Sequence, residues 1–184
     1  MEEMRIMFKK ILVVLMALVA AFVIVVALQP AEFKIARSIT IDAPAAEVFP
    51  QVNDLHNWEA WSPWAKLDPN AKNTFEGPPA GTGSIFKWAG NEKVGEGMMT
   101  VTESKPSELV KIKLDFVKPF VGTNVTQFDF KDEGKQTLVT WTMTGANDNF
   151  MGKAFFLCMF MDKKLGTSFE EGLANLKRVV EKAK

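Results

Sequence analysis

The chain of 184 residues contains no tyrosine, a single cysteine and a single histidine. Each shortage removes some chemistry. Without a phenol, one common proton donor is missing from any catalytic scheme. Cys158 cannot form an intrachain disulfide, and its neighbours Leu157, Met159 and Phe160 predict a thiol buried among apolar side chains. One histidine and one cysteine cannot assemble a zinc site of ordinary ligands. No acidic cluster has calcium-loop spacing, so no metal and no cofactor are expected. Neither sign of charge is in excess: 22 Lys and Arg balance 22 Asp and Glu. That balance leaves no electrostatic footprint for nucleic acid.

What the chain does have is a long uncharged apolar run. From Ile11 to Leu28 no residue carries a charge; Arg5, Lys9 and Lys10 precede the run, and Gln29-Pro30 closes it. About eighteen such residues is near the lower limit for a helix crossing the hydrocarbon core. The basic flank predicts residues 1–10 on the cytoplasmic side, 11–28 as a single-pass membrane anchor, and everything after Pro30 extracytoplasmic, on the periplasmic side in a bacterium. Two other readings stay open. A cleaved signal peptide also begins basic and then apolar, and Val25-Val26-Ala27 could serve as a small-residue cleavage site, although the run exceeds the roughly 7–15 residues of a secretory core. A buried core helix is the third, although the segment has no polar face.

The rest of the chain is one domain of ordinary size. A linker of Gln29 to Glu32 reaches roughly 14 Å at most, which would hold that domain at the membrane surface. Phe33–Ile41 alternates with the two-residue period of a strand. Asp42 is the expected N-cap of a short helix reaching about Asn53, with Pro44 in its first turn and Glu47 complementing its dipole. A second short helix is expected from Asp54 to near Pro63. Six strands follow, at Thr74–Gly77, Ser84–Trp88, Gly95–Glu103, Leu109–Phe116, Asn124–Phe130 and Thr137–Thr144. Their regular alternation and short turns predict an antiparallel meander with one wet face. Beyond Asn147-Asp148 the period becomes helical. One long helix is expected from Phe150 to about Lys182, with Leu165, Phe169, Leu173, Leu176 and Val180 as its buried stripe. Its first half, Ala154 to Met161, is apolar all round and must be buried on several sides or touch something greasy. Gly166 and Gly172 mark either a kink or close packing.

Several segments carry a family resemblance. They are Arg37-Ser38-Ile39-Thr40-Ile41-Asp42-Ala43-Pro44 with Val48-Phe49, Trp58-Glu59-Ala60-Trp61-Ser62-Pro63-Trp64, Gly81-Thr82-Gly83-Ser84, Thr140-Trp141-Thr142-Met143, and Leu165 to Lys177. Together with the order of elements they make residues 33–182 resemble the SRPBCC superfamily, which includes START and birch-pollen-allergen-like proteins, in its polyketide cyclase/dehydrase-like branch. The resemblance implies an α+β helix-grip fold, β-α-α-β6-α, whose curved antiparallel sheet wraps a long C-terminal helix and leaves a cavity between them. It also implies an apolar or amphipathic ligand, a lipid or isoprenoid-type molecule being the simplest. The N-terminal anchor departs from the superfamily's usual soluble form.

The cavity lining is then expected to come from rings and thioethers. Trp61 and Trp64, in a Trp triplet with Trp58 at three-residue spacing, would either close the cavity or pin the short helices to the sheet. Phe86, Trp88, Met99, Phe128, Trp141 and Met143 would either line it or fill the core. Phe155 and Met159 belong to the apolar helix start, which would either pack on the sheet or form a lipid-facing patch beside the tether. His56, flanked by Asp54 and Glu59, is the one weak catalytic candidate, as an acid/base pair at the cavity mouth or simply a surface histidine. The expected function is a membrane-tethered domain binding a hydrophobic ligand without covalent chemistry. The alternatives are a cyclase- or hydrolase-type enzyme using His56 with Asp54 or Glu59, and an envelope protein-interaction module with a collapsed cavity.

Overall fold

The computed structural model describes residues 1–182. The chain forms two compact units, one made of residues 34–145 with 162 onward, the other of Met1–Phe33 with Ala146–Met161.

The larger unit is an α+β layer pair. Strand β1 (Glu32–Ile41) leads to helix α2 (Ala45–Asn53), a 3-10 turn (Leu55–Asn57) and helix α3 (Trp58–Trp61). Strands β2 (Lys72–Glu76), β3 (Ile85–Ala89), β4 (Glu96–Lys105), β5 (Leu109–Lys118), β6 (Gly122–Asp132) and β7 (Thr137–Ala146) follow. They form one curved antiparallel sheet in the order β1-β7-β6-β5-β4-β3-β2, consistent with a helix-grip fold. Two-residue alternation decides which face is buried: Val110, Ile112 and Leu114 of β5 point inward with Phe128 and Phe130 of β6 and Val139 and Trp141 of β7. Helix α5 (Met161–Lys182) lays Phe169, Leu173, Leu176 and Val180 on that inner face.

Both glycines of α5 are sites of close approach. A Cβ on Gly172 would lie 2.8 Å from Cζ3 of Trp141 and 3.1 Å from Cδ of Pro63. A Cβ on Gly166 would collide with the guanidinium of Arg37, which pairs with Glu170 at 2.7 Å.

The start of α2 differs from the expectation. Pro44 takes the N-cap position, and Asp42 is engaged elsewhere: its carboxylate accepts from the side-chain amide of Gln136 and its backbone N–H donates to Glu181 Oε1 at 2.9 Å. Contacts across the sequence outcompete the local cap.

The smaller unit contains α1 (Glu2–Ala27) and α4 (Phe150–Cys158), which touch each other. Only Val26 of α1 is buried. The chain beyond α1 is tied to the approach to α4 by Asn147 N–H donating to the carbonyl of Ala31 at 2.7 Å, and Phe33 packs against Phe156 with centroids 4.8 Å apart. Asn149 caps α4, its side chain accepting from Gly152 N–H at 2.7 Å.

The expected single helix from Phe150 to Lys182 is therefore two. Phe160 sits between α4 and α5 with φ of 49°, the left-handed conformation that stops an α-helix, while its N–H reaches back only three residues, to Leu157. The expected burial of Cys158 does not hold either. The thiol is exposed, and no residue of α4 is buried.

The two α5 glycines should respond oppositely to alanine. Replacing glycine inside a helix gains up to about 1 kcal/mol. At Gly172 the methyl meets a locked ring, and overpacking of about 1–3 kcal/mol wins. At Gly166 it meets the flexible end of half-buried Arg37, which can swing away at the cost of its ion pair with exposed Glu170, worth about 0.2–1 kcal/mol. Unfolding of the full chain in detergent micelles should show Gly172→Ala less stable than the parent and Gly166→Ala equal or slightly more stable. The reverse order would contradict the packing described.

Candidate functional site

The space between sheet and α5 is filled by rings around Trp141. Its indole stacks on Phe169 with centroids 4.1 Å apart and planes 2° apart, and on Phe128 at 4.7 Å. Trp58, Trp61 and Trp64 meet it edge-on at 6.2, 5.8 and 5.9 Å. Each enclosed indole N–H has an acceptor: Trp141 donates to Thr126 Oγ1 at 2.7 Å, Trp58 to the Val52 carbonyl and Trp61 to the Gln51 carbonyl, both at 2.9 Å. Trp61, Phe128, Trp141, Met99 and Met143 are buried, and Trp64 is half-buried.

A second aromatic group differs in being partly open. Phe86 and Trp88 of β3 are half-buried on the inner face. Phe75 of β2, also partly exposed, pairs with Phe86 across the strands, with centroids 5.0 Å apart. The row continues from Phe86 to Trp88 at 6.0 Å and from Trp88 to half-buried Phe116 of β5, also at 6.0 Å. Trp88 and Phe116 lie on strands separated by β4, and glycine makes their contact possible. Gly97 is the register partner of both Trp88 and Phe116, and a Cβ there would lie 2.6 Å from Cζ2 of the Trp88 ring. The indole therefore lies flat across β4, its N–H satisfied by the Val94 carbonyl at 3.0 Å.

His56 ends this row. Its ring stacks on Phe75 with centroids 3.9 Å apart. Asp54 Oδ1 accepts from both the backbone N–H of His56 at 2.9 Å and its ring Nδ1 at 2.8 Å. Because an ionised carboxylate only accepts, Nδ1 carries the proton in the neutral ring and Nε2 is the acceptor. His56, Leu55, Phe75, Pro78, Pro79 and Ser84 bound a cleft of about 230 Å³. Glu59 is exposed on α3.

The expected site residues thus fall into three places. Trp61, Trp64, Phe128, Trp141 and Met143 belong with the packed rings. Phe86, Trp88 and Met99 belong with the open row, Met99 pairing with Phe86. Phe155 and Met159 are exposed in the other compact unit. Phe75, Phe116 and Phe169 were absent from the expected lining; the alternation that put Phe116 with Leu114, and the helical stripe holding Phe169, were the available signals.

A groove of about 320 Å³ on the outer face of the sheet runs past Thr74, Lys87, Met98, Asp115 and Val117. The carboxyl of Asp115 lies in this groove. The hydroxyl of Thr123, donating to Oδ1 at 2.6 Å, holds the carboxyl below its usual value. Lys113, 3.0 Å from Oδ2, adds to this, and partial burial opposes both. Among the described residues no cluster of three or more His, Cys, Asp or Glu could hold a metal ion.

The family profile described as "Polyketide cyclase / dehydrase and lipid transport" matches residues 32–181. No curated protein matches the chain significantly. Among solved structures, protein MLL2253 of Mesorhizobium loti aligns with a TM-score of 0.62 at 12% identity, over 83% of this chain and 99% of that one. CV1439 of Chromobacterium violaceum gives 0.58 at 14%, over 80% and 96%. The Aha1 dimer of Colwellia psychrerythraea gives 0.57 at 20%, over 81% and 96%. These likenesses establish a shared fold.

The depressed carboxyl of Asp115 contributes stability that is fully present above its ordinary value of 3.8 and is lost as pH falls through the lowered folded value. Thr123→Val removes the largest cause, so Asp115 should titrate closer to 3.8 in a carbon-detected NMR titration. The acid-dependent loss of stability from this group should then be smaller and be complete at a higher pH, while still starting near 3.8. An unchanged titration would mean that Lys113, not Thr123, sets the charge.

Proposed function

The chain belongs to the polyketide cyclase/dehydrase and lipid transport family, and from that premise we propose that it is a membrane-anchored binding domain for an amphipathic, mostly hydrocarbon ligand, of lipid or isoprenoid type. The observation that carries this reading is the half-open row Phe75-Phe86-Trp88-Phe116. A core would close over such rings, as it does around Trp141. Here they remain partly in water, and a ligand laid on them gains roughly 25 cal/mol for each Å² of apolar surface removed from water. The His56–Asp54 pair supplies the single polar end, with Nε2 ready to accept a hydrogen bond from a ligand hydroxyl.

Two features support the anchor. Helix α1 has 26 residues, a rise of about 39 Å, which exceeds the roughly 30 Å of a hydrocarbon core. Its apolar side chains are exposed along its length, with Val26 the sole exception, whereas a core helix would be covered. With Arg5, Lys9 and Lys10 on the cytoplasmic side, the domain is extracytoplasmic.

A second reading rests on the same pair. A carboxylate holding an imidazole so that Nε2 faces a cleft is also the arrangement of a general base, as a cyclase- or hydrolase-type reaction requires. Photo-crosslinking separates the two. The full chain in lipid nanodiscs is irradiated with diazirine-bearing palmitate or a diazirine-bearing farnesyl chain, and the labelled peptides are sequenced. Binding on the row predicts labels in β3 and β5 and about a tenfold loss of labelling in Trp88→Ala, an aromatic platform being worth about 1–1.5 kcal/mol. His56→Ala should keep the hydrocarbon label. Labels confined to α1 in every variant would sink the proposal, and chemical conversion of a bound chain that stops in His56→Ala would favour the enzyme.

A further inference from the structure

We infer that helix α4 and the corner that follows it are a second membrane contact, lying in the interfacial layer of the leaflet on the domain side of α1. The inference rests on the anchor reading above and adds a surface that reading does not use. Helix α4 consists almost entirely of apolar residues, and from Asn149 to Met161 only Lys153 is charged. Yet none of its residues is buried. Met151 is 74% exposed and Phe160 72%, with Phe150 and Met159 also exposed. In water that arrangement is unfavourable; against lipid it is what a membrane-facing helix needs.

Three observations identify lipid as the occupant. First, α4 shares a compact unit with α1 and touches it, so its apolar surface continues that of the candidate span. The bond from Asn147 N–H to the Ala31 carbonyl ties its approach to the chain just beyond the end of α1. Second, nine residues rise only about 14 Å, less than half a hydrocarbon core, so α4 lies in the interface and does not cross. Third, Phe160 holds φ of 49°, a conformation that favours glycine and costs an ordinary residue of order 1–3 kcal/mol. A bulky ring kept there, and aimed into solvent, gains nothing from the fold. Burial in acyl chains accounts for it. Beyond Met161 and Asp162 the sequence continues with Lys163 and Lys164, cations of the kind anionic headgroups attract.

The only cysteine in the chain is on α4, exposed, and serves as the probe site. The full chain, labelled at Cys158 with an NBD dye, is reconstituted into vesicles of phosphatidylcholine and phosphatidylglycerol. Emission is then quenched with either aqueous iodide or lipids carrying a doxyl group, placed shallow for Cys158 and near the acyl-chain end for position 19. A Cys158→Ser, Val19→Cys chain labelled in α1 is the reference for the anchor. Insertion predicts strong doxyl quenching and weak iodide quenching at both sites. Doxyl quenching at position 19 with iodide access at Cys158 overturns this inference and leaves the anchor standing. A dye at Cys158 that neither quencher reaches is packed against protein, and also overturns it. No doxyl quenching at position 19 defeats the anchor reading itself. Phe160→Gly removes a ring while fitting the backbone. It should keep or raise the melting temperature yet lower doxyl quenching at Cys158 by about twofold, a pair of results that a merely structural Phe160 would not give.

Discussion

The larger unit depends on one indole. Trp141 is held by a hydrogen bond to Thr126 on the neighbouring strand, stacked face to face on Phe169 of α5, and met edge-on by three other tryptophans. Sheet, short helices and C-terminal helix therefore share a single contact point. Gly172 exists to let that point form, since any side chain there strikes the indole. Close packing at one end of the inner face also has a spatial consequence. Ring volume concentrated around Trp141 leaves the β3–β5 end of the same face with rings that are only half covered.

The two ends of the inner face show how similar residues can do different work. Around Trp141 the rings interlock at several angles and exclude water. Along β2 to β5 the rings are joined in a line, and the line is continuous because Gly97 removes a side chain from the intervening strand. That geometry suits a long, thin apolar guest better than a bulky one. It also leaves His56 and Asp54 at one terminus, where a polar group can be recognised without burying charge beneath the rings.

The sequence made some of this legible and hid the rest for identifiable reasons. The strict alternation of Leu109–Phe116 and the stripe Phe169-Leu173-Leu176-Val180 report local period, and both elements lie where that period puts them. The break at Phe160 left no trace because it occurs in an unbroken apolar stretch without glycine or proline. The cap at Asp42 failed because its competitor, Gln136, is 94 residues away. The bridge from Trp88 over Gly97 to Phe116 joins three strands, a relation no window of neighbouring residues contains. Cys158 was expected to be buried from its greasy neighbours, but Met159 and Phe160 are themselves exposed and Leu157 is only half-buried. Apolar composition shows that a segment must be covered, not that its own domain covers it.

The flattened indole over Gly97 sets a limit on selectivity. Its only hydrogen-bonding group is spent on Val94, and Phe75, Phe86 and Phe116 have none, so the row offers contact area and nothing else between its two ends. On the binding reading proposed above, a guest on it would be measured by length. Each methylene that gains or loses contact is worth about 0.8 kcal/mol, a factor of about fourfold in dissociation constant. Chains differing by several carbons would thereby be sorted by orders of magnitude, while double bonds or branch points of equal area would pass almost unnoticed. The platform would then work as a ruler, with the chemical identity of its guest read only where the ruler stops, at His56.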